Sequence, residues 1–356
     1  MARIHWIDEP GASTDLVGGK VSSLAEMTAA GFRVPPAFGV STEAFAEFAA
    51  GAGLPERIGA IRSGLDVDDV AAVEAASAEI AALIEAAPLP DSLAEEIRAA
   101  YAELERRAGA DVPVAVRSSG VNEDLEGASF AGQYDTYLWI VGGDEVIRHV
   151  RRCWSGLFNS ALLTYRPDGL ELAADAELPG MGVGVQQMAR SRSAGVMFTL
   201  DPVSGDRSKI LIESCWGLGE GVVKGDVTPD RHRIDKVTLE VLDREVNEQA
   251  EEYRFDAEQG EVGLYPVEEE RRARDSISSE EALAIAELGK QIERHRGGPQ
   301  DIEWAIDHDG TLHLLQARPE TVWAARHAAG VTGGNGGGAV DRVFTTFLNA
   351  AGRGQR

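Results

Sequence analysis

Apolar positions along the chain follow two periodicities, one after the other. From about residue 15 to 110 they recur at helical spacing: SSLAEMTAAG closing at Gly31, TEAFAEFAAGAG, AAVEAASAEIAALIEAA, and DSLAEEIRAAYAELERRAG with Asp91 as its expected N-cap. The extended, Pro-broken segment FRVPPAFGVS separates the first two. At PVAVRSSG the period becomes two: Val112, Val114 and Val116 alternate, and Arg117 stands at the strand end before a Ser/Gly/Asn-rich loop. QYDTYLWIV predicts the next strand, residues 144–165 a helix, and GVGVQQM (182–188) and AGVMFTL (194–200) short apolar strands. KILIESCWGLGEGVVKG predicts a strand running into a Gly-rich loop. Further strands are expected over 234–247, a helix over 279–294, and a hairpin in QDIEWAIDHDGTLHLLQARPET, residues 300–321. From about 325 the composition is that of a flexible linker, and no internal repeat is present. Helices feeding strands, then a strand-rich half, predict an α+β chain of at least two lobes.

Length and charge narrow the function. At 356 residues the chain suggests two or three structural units, and 44% hydrophobic with 26% charged residues is ordinary for a soluble globular protein. A formal net charge of -25 argues against general nucleic-acid or anionic-membrane binding, which need a positive field. It leaves room for a small phosphorylated ligand held by a local cluster of cations and backbone N–H groups. Cys153 and Cys215 sit in no CxxC or zinc spacing, so no disulfide framework or structural metal is expected and a reducing compartment fits. With no apolar leader region and no run of 18 apolar residues, the expected location is cytoplasmic.

Three segments carry candidate chemistry. VGGK (17–20) fails as a P-loop, because Thr14 stands where Gly is needed and Val21 follows the lysine. What survives is a Gly pair with Lys20 at the start of a helix, suited to an anion or else simply solvated. RSSGVNEDLEGASFAGQYDTYL (117–138) places Arg117 before a loop in which Gly127, Ser129, Ala131 and Gly132 allow close backbone approach to a phosphate chain; an ordinary long hairpin loop is the alternative. In the hairpin, Asp309–Gly310 predicts a two-residue type I′ turn. That register sets Glu303 opposite Gln316 and Asp301 opposite Arg318 on one face, with Ile302, Trp304, Ile306, Leu315 and Ala317 on the other. A carboxylate and an amide oxygen about 5 Å apart at Cβ suit Mg²⁺, with Arg318 neutralising phosphate; a solvated face with a cross-strand ion pair is the other reading. No G-x-S-x-G or HExxH occurs, and the seven histidines form no metal spacing.

Taken together, these segments resemble the N-terminal nucleotide-binding region of the phosphoenolpyruvate synthase and pyruvate phosphate dikinase family. The resemblance runs in order over residues 15–322: VGGKVSSLAEM, GFRVPPAFGVST, AVRSSGVNEDLEGASFAGQYDTYL, VGVQQM, AGVMFTLDPVSGD, IESCWGLGEGVVKGDVTPD and QDIEWA…LLQARPET. It implies an ATP-grasp fold with ATP between two lobes, 1–187 (helical 1–110, then strand, loop and helix) and 188–324, before a Gly-rich tail, 325–356. It further implies that Lys20 and Arg117 contact the ATP phosphates and that Gly132 and Thr136 belong to the loop covering them. Gln186 and Met188 would border the adenine, and Glu303 and Gln316 hold Mg²⁺. Arg318 would bind the transferred phosphoryl, and Asp301 support the metal or the nucleophile.

Two positions depart from the family pattern: Ser160 stands where Arg is usual, and Asp201 where Asn is usual. Family members continue into a swivelling domain whose histidine carries the phosphoryl group, and no histidine here has that T-x-SH-type context. The expectation is therefore the ATP-binding component of a split, AMP-forming dikinase, similar in organisation to phenylphosphate synthase. Its partners would be a histidine-bearing protein and an acceptor-binding subunit, with no nucleic acid or membrane. A non-catalytic nucleotide-binding regulatory subunit and a stand-alone small-molecule kinase are the alternatives.

Overall fold

The computed structural model describes residues 2–121, 135–164, 180–321 and 323, and the structural statements below concern these. Gly132 with its loop, and the Gly-rich tail, lie outside the described residues. The chain forms two compact units, one running to Ala189 and one beginning at Arg190. Both combine helices with antiparallel strand pairs, the α+β class expected.

The first unit contains β1 (Ile4–Trp6), α1 (Thr14–Ala29), β2 (Ala37–Val40), α2 (Thr42–Gly51), α3 (Leu54–Ser63), α4 (Val70–Ala86) and α5 (Asp91–Ala108). After these come β3 (Val114–Gly120), β4 (Thr136–Ile140), α6 (Gly143–Ser155), α7 (Ser160–Thr164) and β5 (Met181–Gln187). The strands form one sheet in the order β1-β2-β5-β3-β4. Alternation in β5 sorts its two faces. Val183 and Val185 join Phe38, Val40, Val114 and Val116 in the larger core, where Trp154 of α6 packs 5.4 Å from Phe45 and 5.2 Å from Phe48 of α2. Gly182 and Gly184 point the other way and admit α1. A Cβ on Gly182 would lie 2.3 Å from the Val17 carbonyl oxygen, and one on Gly184 3.0 Å from Val21 Cγ2. The missing side chains thus let the helix backbone rest on the sheet, closing a smaller core of Ile7, Val17, Val21, Leu24 and Ala37.

Three local expectations are corrected here. Arg117 lies in the middle of β3, paired on both sides, and not at a strand end; the ladder to Gly120 continues through RSSG because β5 supplies partners. Pro90 takes the N-cap position, its carbonyl accepting from Leu93 and Ala94, so Asp91 is the first helical residue. The helix expected over 144–165 stops at Ser155, passes through a 3-10 turn (Gly156–Phe158), and resumes as α7 after Asn159, whose Oδ1 accepts from Leu162 N.

The second unit contains β6 (Ser191–Phe198), β7 (Lys209–Trp216), α8 (Glu220–Lys224), β8 (Asp230–Asp235), β9 (Val241–Glu245), β10 (Glu251–Asp256) and β11 (Glu261–Pro266). It ends with α9 (Glu269–Arg272), α10 (Ser279–Arg296), β12 (Gln300–Asp307) and β13 (Leu312–Pro319). Six strands make a sheet in the order β13-β12-β6-β7-β8-β9. Met197, Ile210, Ile212, Ile234, Ile302 and Trp304 are buried on the face that α10 covers, and a Ser278–Glu281 capping box starts that helix. The buried Asp230 carboxylate accepts from Ser276 N, Ser276 Oγ, Gln249 Nε2 and Asn247 N at 2.7–2.9 Å, tying β8 to the segments before β10 and α10. At the sheet edge all five residues of β9 are exposed.

The β10–β11 hairpin is not anticipated by the sequence reading. It hangs from the Gly-rich loop: Leu218 N donates to Tyr253 O at 2.8 Å, and a Cβ on Gly217 would sit 2.3 Å from that same oxygen. Glycine in this loop therefore serves packing.

The packing of α1 predicts unequal costs for two neighbouring substitutions. Gly182→Ala, which drives a methyl into backbone, is expected to lose about 1–3 kcal/mol by denaturant unfolding. Gly184→Ala meets only a movable methyl and should lose clearly less. Equal losses would mean that α1 does not rest on Gly182.

Candidate functional site

The candidate residues fall into two sets, one in each unit, and each occupies the sheet face left free by the larger core. In the first unit, Arg117 pairs with Gly184 of β5 and Thr136 of β4, and Gln186 pairs with Ala115, so all three share the face that carries α1. Arg117 Nη1 donates to Gln186 Oε1 at 3.5 Å. Gln186 is buried, and its Nε2 has no hydrogen-bond partner among the described residues. Met188, just past β5, is fixed by its N–H to Pro113 O at 2.9 Å.

Lys20 reaches the same strand from above. Helix α1 makes one turn, breaks at Gly18 (φ 76°, ψ 171°), and resumes. That conformation is open to glycine, and a Cβ there would overlap the Ser119 carbonyl at 1.8 Å. Past the break, Val21 N donates to Ser119 Oγ at 3.2 Å and Lys20 Nζ to Ser118 O at 3.1 Å. An ammonium and a guanidinium are thus set by neighbouring residues of β3, an arrangement suited to an anion.

In the second unit, β12 and β13 pair Glu303 with Gln316 and Asp301 with Arg318, as expected, but by a different route. The turn is not type I′. Asp307 N donates to Thr311 O at 2.9 Å, Gly310 N donates to Asp307 O at 3.0 Å, and Gly310 has φ 84°. This is a three-residue loop with glycine in the left-handed region, and it shifts the register by one, pairing Ile306 with Leu312 and Trp304 with Leu314. A bulge between Glu303 and Trp304 then absorbs Leu315 and restores the expected pairs. Leu314, and not Leu315, consequently joins Trp304 in the core.

Both Arg318 Nε and Nη2 donate to Asp301 Oδ2, at 2.8 and 2.6 Å, so the guanidinium is held in place on the polar face. Burial pushes the Asp301 carboxyl above the ordinary carboxylate range, with Arg318 opposing that rise and Glu303 adding to it. Glu303 is half-buried and Gln316 buried, and together they present two hard oxygens. No group of three or more His, Cys, Asp or Glu side chains among the described residues could hold a metal alone. The pair fits Mg²⁺ only as a partial shell completed by water and phosphate oxygens.

The same face carries residues that sequence reasoning passed over. Glu213 of β7 lies across Val196 from Glu303 and pairs with Arg231 at 2.8 Å. His313 and Asp307 meet at 3.0 Å beyond Glu303. The adjacent Leu314 and Leu315, out of step with strict alternation, were the available signal. Both cysteines are free and buried, each thiol pushed up to about 12 by burial, which leaves them inert near neutral pH.

The chain matches the family described as pyruvate phosphate dikinase, AMP/ATP-binding domain, over residues 14–333, and it belongs to that family. It is 40% identical to a probable phosphoenolpyruvate synthase of Staphylothermus marinus, covering 91% of this chain and 42% of that protein. It is 42% identical to a probable phosphoenolpyruvate synthase of Methanocaldococcus jannaschii (90% and 27%) and to the phosphoenolpyruvate synthase of Pseudomonas aeruginosa (86% and 40%). The chain thus spans less than half the length of these curated relatives. A solved D-cycloserine synthetase shares 12% identity over 84% of this chain and 62% of its own at a TM-score of 0.27, too slight a likeness to bear on the fold.

Of Asp201 and Ser160, the two positions expected to depart from the family pattern, Asp201 has a clear structural role. Its Oδ1 accepts from Val203 N and Ser204 N at 2.9 and 3.0 Å, a turn that an asparagine oxygen closes equally well. Ser160 opens α7, and nothing in the structure explains it further. Asp201→Asn is expected to leave stability within about 0.5 kcal/mol and Asp201→Ala to lose about 1 kcal/mol. A larger loss for Asn, read from thermal or denaturant unfolding, would show that the charge matters and not the acceptor.

Proposed function

We propose that this chain is the Mg·ATP-binding component of an AMP-forming, dikinase-type phosphotransferase, with the ATP-grasp architecture expected of its family. The observation that carries the reading is the polar face of the β12–β13 hairpin: Glu303 beside Gln316, with Arg318 clamped by Asp301, in a chain matching an AMP/ATP-binding domain. The residues fit the ligand. Two cations suit its phosphates, a pair of hard oxygens suits Mg²⁺, and the buried Gln186 amide has hydrogen-bonding capacity to offer near the adenine.

In this reading Lys20 and Arg117 neutralise the phosphates, and Thr136, which opens β4 beside Arg117 and does not lie in a loop as expected, faces them from the same side. Met188 with Gln186 borders the adenine. Glu303 and Gln316 orient Mg²⁺, which supplies charge neutralisation on the phosphate oxygens. Arg318, positioned by Asp301, holds the group in transfer. The acceptor is a histidine on a partner swivelling domain. Its ring nitrogen attacks the β-phosphorus, the bond from that phosphorus to the oxygen bridging the α-phosphate breaks, and AMP leaves with the electron pair. Water then removes the γ-phosphoryl as phosphate, leaving a phosphohistidine for delivery to a small molecule. Positioning and charge stabilisation do the catalytic work.

The test is incubation of the chain with β-labelled and with γ-labelled ATP and candidate histidine-bearing partners. The partner should retain β-label, γ-label should appear as free phosphate, and AMP should form. Glu303→Ala should lower partner labelling by about 10²-fold or more. Label retention without AMP, or undiminished labelling by Glu303→Ala, would defeat the proposal. ATP binding without any turnover would instead favour a regulatory role.

A further inference from the structure

Two helices of this chain begin on a serine cap with one geometry. Ser41 Oγ accepts from Ala44 N at 3.1 Å to start α2, and Ser278 Oγ accepts from Glu281 N at 3.2 Å to start α10. In each, the donor is the third residue after the cap. Past its break, α1 has the same need. Gly18 stands at the cap position, outside the helical region at φ 76° and ψ 171°, and has no side chain to offer an acceptor. Nor is there room for one. A Cβ at Gly18 would meet the Ser119 carbonyl oxygen at 1.8 Å and Ser119 Oγ at 2.5 Å.

Ser119 of β3 supplies what Gly18 lacks. Its Oγ accepts from Val21 N at 3.2 Å, and Val21 is the third residue after Gly18, the position that Ser41 and Ser278 satisfy in their own helices. The cap therefore comes from a neighbouring strand, 98 residues away in sequence, and its side chain is fully buried. The residue before each partner is joined as well, Lys20 Nζ donating to Ser118 O at 3.1 Å. Two consecutive residues of α1 are thus held by two consecutive residues of β3, the strand that also carries Arg117.

We infer that Ser119 is a positioning residue of the nucleotide site: by capping the resumed α1 it holds Lys20 where the ammonium meets the phosphates. This rests on the function proposed above. The body of α1 has other anchors, because Val17, Val21 and Leu24 are buried in the smaller core and Gly182 receives the Val17 carbonyl. Loss of the hydroxyl is therefore felt in the first turn after the break, where Lys20 sits, before it is felt in the fold.

The experiment is calorimetric titration with Mg·ATP of the full chain in four forms: unsubstituted, Ser119→Ala, Lys20→Met and the double substitution. With Lys20 present, Ser119→Ala should weaken ATP binding about fivefold, the worth of a lost helix cap. With methionine at position 20 the same change should alter affinity by no more than about twofold, because no ammonium is left to misplace. A hydroxyl with a merely structural role would leave ATP affinity unchanged or weaken it by the same factor in both backgrounds, and either result overturns the inference. A second measurement needs no substitution at Ser119. In the unsubstituted chain the Val21 amide proton should exchange with solvent as slowly as those of the following turns of α1, and exchange at the rate of an open amide overturns the inference too. In all these cases the nucleotide reading stands, whereas failure of the unsubstituted chain to bind ATP removes both.

Discussion

In both sheets, a side chain turned towards the core commits its sequence neighbours to the opposite face, and the candidate chemistry occupies those committed positions. Val183 and Val185 are drawn into the larger core of the first unit, so Gly182, Gly184 and Gln186 must face α1. Ile302 and Trp304 are buried on the α10 side of the second, so Asp301 and Glu303 must not be. Hydrophobic burial worth roughly 1.5–3 kcal/mol per large side chain thereby holds polar groups whose own exposed contacts are worth far less. The polar face is stable because the other face is.

Wherever this alternation is regular, the sequence is transparent. The Gly-Val repeat of β5 and the Ile-Trp-Ile spacing of β12 can be sorted by eye. What resists reading is backbone irregularity. Asp309–Gly310 is equally at home in a two-residue and a three-residue loop, and only the hydrogen bonds of Asp307 separate them. The two deviations in the hairpin cancel at Glu303, so the expected pairs hold while Leu315, expected on the core face, gives its place there to Leu314. Arg117 shows a different limit. RSSG is polar enough to pass for a loop, and its strand character comes from β5, some 65 residues away in sequence.

The irregular points are also where the candidate groups sit. Gly18 interrupts α1 two residues before Lys20, and the Leu315 bulge adjoins Gln316. Such departures cost stability and persist where surrounding packing overdetermines them. Here Ser119 receives the interrupted helix and Trp304 receives Leu314. The result is a set of side chains aimed by well-packed backbone, with little left to rotamer choice.

The exposed edge of the second sheet has a bearing on solution behaviour. Strand β9 offers unpaired backbone, with Val241, Leu242 and the adjoining Val246 each more than a third exposed, which is the profile of a strand inviting another copy. Two-fold antiparallel pairing, however, keeps the faces of both sheets aligned, so opposed residues must have equal parity. Centred on Asp243 it sets Asp243 against Asp243; centred on Arg244 it sets Arg244 against Arg244 and Asp243 against Glu245. Both of these registers bring like charges together, whereas centring on Leu242 sets Leu242 against Leu242 and Val241 against Asp243 with no such clash. The charged residues thus narrow the ways in which a second copy could pair with this edge.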